Sequence, residues 1–291
     1  MAREAHQPLN RLHPLLYEEV VDRALREDIG RGDLSTEATI PPDRLARARI
    51  VAKAQGILAG IDVAAYAFRR MDPALQLEVV VHDGEAVAPG DDVLRIRGAA
   101  RAILSAERVA LNFLQRLSGI ATAASQAVRA AKGTRAIIVD TRKTTPGLRV
   151  LEKYAVRVGG GRNHRFGLDD AVMIKENHIA VAGGITQAVQ AARAYLGHMH
   201  KIQVEVETLA QVEEAVAAGA DAILLDNMDL ETMAEAVRLV AGRAIVEASG
   251  GIRPENVADV ARTGVDVISL GWLTHSAPAL DLSLLVTVER A

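Results

Sequence analysis

The spacing of apolar positions changes character twice along the chain. Over residues 15 to 29, Leu16, Val20, Val21, Ala24 and Leu25 fall on one side with acidic neighbours opposite, the period of an amphipathic helix. Asp33-Leu34-Ser35-Thr36 interrupts that pattern. From Ala48 to Ile61 and from Leu75 to Ile96 the apolar residues come in short runs separated by glycine turns, which predicts short strands. From Ala99 to Lys132 the chain reads as helix, rich in Ala and Leu, with Gly119 expected as a break between a pair of helices. After Gly133, apolar runs at 136–140, 171–175, 202–206, 222–226, 244–248 and 266–270 alternate with helical patterns. The later runs begin roughly 20 residues apart, the length of a compact strand–helix unit, so parallel strands joined by crossover helices are expected.

Nearly every one of these strands ends in a residue capable of chemistry. Arg142 and Lys143, Lys175, Glu205, Asp226, Ser249-Gly250-Gly251 and Gly271 follow the successive runs. Functional residues at the C-terminal ends of many strands mark an α/β barrel, whereas a doubly wound sheet concentrates them at one switch point. The six runs fall short of eight, so the expected fold is an incomplete, TIM-like α/β barrel behind an N-terminal domain of short strands and helices. The domains are expected at 1–115 and 116–275, with 276–291 returning to the first. Within that N-terminal domain, His82-Asp83-Gly84-Glu85 … Pro89-Gly90-Asp91 resembles the half-barrel of biotinyl and lipoyl carriers. Those carriers need a lysine at a hairpin tip, and no Lys occurs between 54 and 131, so that likeness is architectural only.

Composition narrows the function. The 291 residues are 49% hydrophobic and 24% charged, as in an ordinary globular enzyme. Aromatics make up only 3%, so the core must be built from Ala, Val, Leu and Ile. The net charge of −3 argues against a nucleic-acid surface, which carries a basic face. With no cysteine, disulfides, thiolate catalysis and Cys-ligated metal centres are excluded. Met1 to Pro8 lacks the apolar core of a signal peptide, and no apolar stretch is long enough to span a membrane, so a cytoplasmic protein is expected.

Against this mildly acidic background the segment Asp140 to His178 concentrates Arg142, Lys143, His164, Arg165 and Lys175 around two apolar runs. Lysine is scarce, with six in the chain, yet Lys143 and Lys175 both stand at strand ends. Cations at strand ends suit a small, strongly anionic ligand: Arg offers a fork to carboxylates and Lys a compact charge. The other reading of each is solvated surface charge. Ser249-Gly250-Gly251 and Gly271 let backbone N–H groups approach a phosphate, or are simply tight strand-to-helix turns. Gly159-Gly160-Gly161 has neither the spacing nor the position of a dinucleotide fingerprint. Glu205 and Asp226 hold a divalent metal, bind ribose hydroxyls, or neutralise the cations. His164 orients a ligand or is structural, and His178, His275 and Trp272 read as structural or packing residues.

The motifs in order resemble one family. Asp140-Thr141-Arg142-Lys143-Thr144 … Pro146-Gly147, Glu152-Lys153-Tyr154-Ala155-Val156, Asn163-His164-Arg165 and Ile174-Lys175-Glu176-Asn177-His178 are similar to quinolinate phosphoribosyltransferase. Val204-Glu205-Val206-Glu207, Leu225-Asp226-Asn227, Glu247-Ala248-Ser249-Gly250-Gly251 and Gly271-Trp272-Leu273-Thr274-His275 extend the resemblance, as does Glu107-Arg108 … Leu111-Asn112 upstream. Trp272 departs from it, standing where a smaller residue is more usual.

The resemblance implies an N-terminal α/β sandwich-like domain before an α/β barrel of fewer than eight strands, and a pentosyltransferase of NAD biosynthesis. It would join quinolinate to 5-phosphoribosyl-1-diphosphate and release diphosphate, CO2 and nicotinate mononucleotide, with Mg2+ required. By motif position it makes Arg108, Arg142, Arg165 and Lys175 the clamp on the two quinolinate carboxylates. Lys143 and His164 fall beside diphosphate or ribose, Glu205 and Asp226 on the ribose and metal side, directly or through water. Ser249, Gly250, Gly251 and Gly271 form the phosphate cradle. Lys143, Glu205 and Asp226 are then the catalytic candidates. Arg108 is expected to be donated across the interface of a homodimer or larger assembly. Three rival readings stand beside it: a Schiff-base aldolase using Lys175 or Lys143, a paralogous phosphoribosyltransferase, and a non-catalytic ligand sensor.

Overall fold

The computed structural model describes residues 11–288. The N-terminal segment read for a signal peptide and the last three residues of the tail lie outside them. Two compact units emerge: 1–125 with 144–160 and 276–291, and 126–143 with 161–275. Among the described residues no helix is long and apolar enough to cross a membrane.

The first unit opens with α1 (Glu18–Ile29), whose acidic first turn suits the positive end of the helix dipole and whose Val21 and Leu25 are buried one turn apart. In α2 (Leu34–Thr39), Asp33 caps the helix by accepting from the Thr36 N–H at 3.0 Å. Then come β1 (Leu45–Ala52), β2 (Gly56–Ile57), α3 (Ile61–Met71), β3 (Gln76–Val79), β4 (Ala86–Val87), β5 (Asp92–Ala99) and α4 (Ala100–Ala130). The strand pattern of the sequence missed α3, an Ala-rich segment with six buried residues.

The second unit carries the parallel strands. They are β6 (Ile137–Val139), β7 (Val172–Ile174), β8 (Ile202–Val206), β9 (Ala222–Asp226), β10 (Ile245–Ser249) and β11 (Val267–Ser269). Between β6 and β7 lies α5 (Arg149–Val158); the later connections are α6 (Glu176–Ala182) with α7 (Ile185–Tyr195), α8 (Leu209–Ala217), α9 (Leu230–Val240) and α10 (Val257–Arg262). The short α11 (Trp272–His275) follows β11. The sheet order is β6-β11-β10-β9-β8-β7. Continuous apolar runs such as Ile223-Leu224-Leu225 are buried on both faces, as a parallel sheet covered by helices requires. Arg162 adds one parallel bridge to Val139 outside β6, and β6 and β7 do not pair, so the barrel is incomplete as the strand number indicated.

The tail forms β12 (Leu282–Val288), which pairs antiparallel with β1 and completes a sheet of order β12-β1-β5-β3 in the first unit. Segment 144–160, assigned to the barrel from sequence, clusters with the first unit instead. Its ties are polar and specific. The fully buried Glu152 carboxylate accepts from Arg116 Nη2 at 2.9 Å and Thr145 Oγ1 at 2.7 Å. Tyr154 donates its hydroxyl to Asp83 at 2.7 Å, and Asp83 also takes the Gly60 and Ile61 N–H groups that open α3. The boundary expected at 115/116 falls inside α4, one uninterrupted helix.

Gly119 is therefore not a helix break. A Cβ there would sit 2.0 Å from the Pro278 carbonyl oxygen, so the glycine lets the returning tail lie against α4. Leu280 N–H to Gln115 O at 2.9 Å and Gln115 Nε2 to Leu282 O at 2.7 Å fasten the same crossing. Gly119→Ala is expected to destabilise the protein by roughly 1–3 kcal/mol in denaturant unfolding, the range for overpacking. A gain of about 1 kcal/mol, the helix-propensity difference alone, would mean that the close approach does not matter.

Candidate active site

All six parallel strands deliver their C-terminal ends to one edge of the sheet, where a cavity of about 490 Å3 opens. That volume lies within the range of small-ligand pockets. Arg142, Lys143, His164, Arg165, Lys175, Glu205, Asp226, Ser249, Gly250 and Gly251 all line it. Gly271 and Arg108, also expected in the site, do not. Gly271 is packed by its neighbours: a Cβ there would lie 3.0 Å from Lys143 Cδ and 3.3 Å from the His275 ring. Arg108 is exposed on α4 of the first unit.

Each cation is held by its backbone or its side chain. The Lys143 carbonyl accepts from the buried Thr274 hydroxyl at 2.8 Å, and its N–H reaches Thr141 Oγ1 at 3.0 Å. Arg165 donates through Nη1 to the Ala171 carbonyl at 2.9 Å. Burial holds its guanidinium below the usual arginine range, and the positive charge of Arg142 adds to that effect. Two like charges therefore share this side of the cavity, an arrangement that favours an anion between them. Lys175 Nζ forms an ion pair with Glu205 Oε2. The Lys175 N–H bonds His178 Nδ1 at 3.0 Å, so His178 serves as a cap of α6.

The acidic side has a different balance. Burial raises Asp226 above the usual carboxylate range, and Glu205 raises it further, while Lys175, Asn227 and Lys143 oppose the shift. Two neighbouring carboxylates thus carry negative charge that the protein only partly compensates. Among the described residues no group of three His, Cys, Asp or Glu could hold a metal ion. The donor set fits Mg2+, which takes one or two carboxylates and draws its other oxygens from substrate phosphates and water.

The glycine loop is shaped by those same acids. Gly250 has φ +83° and Gly251 φ +62°, both left-handed, and a Cβ on Gly250 would lie 2.3 Å from Asn227 Oδ1 and 2.9 Å from Asp226 Oδ1. Asn227, itself at φ 54°, donates its N–H to the Ser249 carbonyl at 3.0 Å. Glycine at both positions leaves the loop's backbone N–H groups open to close approach by a ligand. The next helix, α10, begins only at Val257 and does not adjoin the loop.

Three polar residues under the cavity had no role in the sequence reading. Glu247 accepts from Gln203 Nε2 at 2.7 Å and lies 3.4 Å from His164 Nε2. The fully buried Asp140 accepts from Asn163 Nδ2 at 2.5 Å and the His164 N–H at 2.9 Å. The signal available was polarity inside apolar runs: Gln203 in Ile-Gln-Val-Glu-Val and Glu247 in Ile-Val-Glu-Ala-Ser stand in buried parallel strands, where a charge persists only if bonded.

Comparison with known proteins agrees with this geometry. Residues 33–118 match the family model for the N-terminal domain of quinolinate phosphoribosyl transferase, and residues 120–285 that for its C-terminal domain. A probable nicotinate-nucleotide pyrophosphorylase [carboxylating] of Bacillus subtilis is 47% identical over 279 residues, covering 96% of each chain. A probable enzyme of the same name from Synechocystis sp. is 48% identical over 263 residues, with 89% of each chain covered. The crystal structure of NadC from Streptococcus pyogenes superimposes with a TM-score of 0.93 at 45% identity, covering 97% of this chain and 100% of that one. The chain belongs to the quinolinate phosphoribosyltransferase family.

Proposed function

We infer that the cavity at the strand ends carries out the family's reaction. Phosphoribosyl passes from 5-phosphoribosyl-1-diphosphate to quinolinate, with decarboxylation, in NAD biosynthesis. The observation that carries this reading is the meeting of Arg142, Lys143, Arg165 and Lys175 with Glu205 and Asp226 in one cavity. One side suits a diacid, the other a sugar carrying phosphates.

The residues meet the needs of the chemistry. As the bond from ribose C1 to the diphosphate oxygen breaks, its electron pair leaves with diphosphate and the sugar becomes cationic. Glu205 and Asp226 stabilise the sugar, and Lys143 the leaving group, as charges set in place before reaction. The pyridine nitrogen bonds to C1 and becomes cationic. The positive charge on that nitrogen stabilises the electron pair left on the neighbouring ring carbon when CO2 departs, and the carbon uses that pair to take a proton. Arg142, Arg165 and Lys175 grip the two carboxylates and align the nitrogen with C1, so positioning accounts for much of the rate gain. Glu205 and Asp226 would hold Mg2+, which when bound would supply positive charge to neutralise the diphosphate. Ser249, Gly250 and Gly251 take the 5′-phosphate, and Gly271 acts through the Lys143 stem that crosses it. Arg108 belongs to this reading as a group lent by the partner of a homodimer or larger assembly. A cytoplasmic setting suits its soluble, multiply charged substrates.

A Schiff-base aldolase needs a lysine amine with a free lone pair. Lys175 is engaged in an ion pair with Glu205, which counts against that rival at Lys175.

Purified protein given Mg2+, quinolinate and phosphoribosyl diphosphate should form nicotinate mononucleotide and CO2. Chelation with EDTA should abolish turnover and added Mg2+ restore it; no product under these conditions ends the proposal. Arg165→Ala should weaken quinolinate binding by roughly 1.5–3 kcal/mol with an unchanged circular dichroism spectrum. Wild-type affinity in that variant would remove Arg165 from the clamp. Arg108→Ala and Arg142→Ala should each be inactive, yet their heterodimer should regain activity, because one of its sites receives both arginines intact. A verified heterodimer without activity would refute the shared site.

A further inference from the structure

Beneath the cations of the cavity lies a buried carboxylate to which the reaction above gives no role. Glu247 is 4% exposed, and among the described residues its Oε1 is buried with no hydrogen-bond partner. An apolar residue at this point of β10 would avoid that cost, so the carboxylate calls for a reason. Burial works against its charge, but hydrogen bonds from His164, Ser269 and Gln203 outweigh burial and hold its pKa below the usual carboxylate value. It is an ionised acceptor.

Its partner is His164, whose two nitrogens face different groups. Nδ1 accepts the Arg165 backbone N–H at 2.7 Å, so that nitrogen carries no proton. Nε2 lies 3.4 Å from Glu247 Oε2, and an ionised carboxylate only accepts. The ring proton therefore sits on Nε2. With both nitrogens engaged, His164 transmits position rather than protons: the carboxylate holds the ring, and the ring holds the Arg165 backbone. Asp140 secures the same loop from the end of β6, through Asn163 Nδ2 and the His164 N–H. The Ala171 carbonyl then takes Nη1, which sets the direction of the guanidinium.

We propose that Glu247 is a positioning residue that fixes His164 as its Nε2–H tautomer and, through the ring, the placement of Arg165 in the cavity. A role confined to stability would move neither the tautomer nor the affinity for the ligand that Arg165 holds. The kinetic consequence rests on the quinolinate reading above; the tautomer does not.

The test uses the full-length protein. Long-range nitrogen–carbon correlation NMR reads the protonation of each imidazole nitrogen, with His164→Gln assigning the His164 signals. In the wild type the spectrum should show protonated Nε2 and bare Nδ1. Glu247→Ala should release the ring to rotate away from the Arg165 N–H, so that the two tautomers mix, and raise the KM for quinolinate about tenfold, with kcat changing less than about threefold, the size of one lost charged hydrogen bond. Glu247→Gln keeps a carbonyl acceptor and should keep the tautomer, with KM within about threefold of wild type. A proton on Nδ1 in the wild type overturns the proposal, as does Glu247→Ala with an unmixed wild-type tautomer. Should Glu247→Ala fail to fold, the wild-type spectrum and Glu247→Gln still decide. Were quinolinate turnover itself absent, the kinetic arm would fall while the spectra judged Glu247 alone.

Discussion

Repulsion among gathered cations is the constraint that the second unit is built to withstand. Arg142, Lys143, Arg165 and Lys175 line one cavity of about 490 Å3, and like charges in a half-buried site repel more strongly than in bulk water. The lowered basicity of Arg165, from burial and then from Arg142, is the trace of that repulsion. The fold does not neutralise the group fully. It holds three of the four: Lys143 through its backbone carbonyl by the Thr274 hydroxyl, Arg165 by the Ala171 carbonyl, and Lys175 by Glu205. Charges held apart in fixed places need little reorganisation when an anion arrives, which is how preorganised electrostatics favours reaction.

The parallel sheet makes this economy of placement available. Because every strand of β6 to β11 runs the same way, each residue that follows a strand emerges at the same edge, whatever its distance in sequence. The strand interiors stay apolar except at Gln203, Glu205 and Glu247, and Gln203 and Glu247 bond to each other. Below the cations there is thus a second tier of acids, Asp140 and Glu247, that touches the loop of His164 and Arg165 by backbone and ring. Glu205 and Asp226 stand among these cations, Glu205 in contact with Lys175, and burial and then Glu205 raise the pKa of Asp226.

The first unit solves a different problem, close contact between distant segments. Gly119 admits the Pro278 carbonyl, and Gly159 sits where a Cβ would lie 2.3 Å from the Ala121 carbonyl. Both approaches bring backbone against α4, and the buried Glu152 and Asp83 fasten α5 to the same unit. Small side chains at such crossings act through space saved, not through flexibility.

The sequence by itself determined the six parallel strands, because each is a continuous apolar run bounded by turns, and the residues at their ends, because nothing in such a run other than its end tolerates a charge unpaired. It also carried the ordered motifs that place the chain in its family. Only the tertiary structure decided the rest. Helix α3 was legible in principle, since its buried Ile61, Ala64, Ala65 and Phe68 keep helical spacing, but its small alanines made that apolar stripe easy to pass over between strand-like runs. Helix α4 read as broken because a helical glycine looks the same whether it ends a helix or admits a neighbour. The adherence of 144–160 to the first unit, the displacement of Gly271 from the cavity to the Lys143 stem, and the bond between Glu247 and His164 all join residues far apart in the chain. Local pattern records which face of an element is apolar; which partner meets that face is set by packing across the whole chain, and no local pattern contains it.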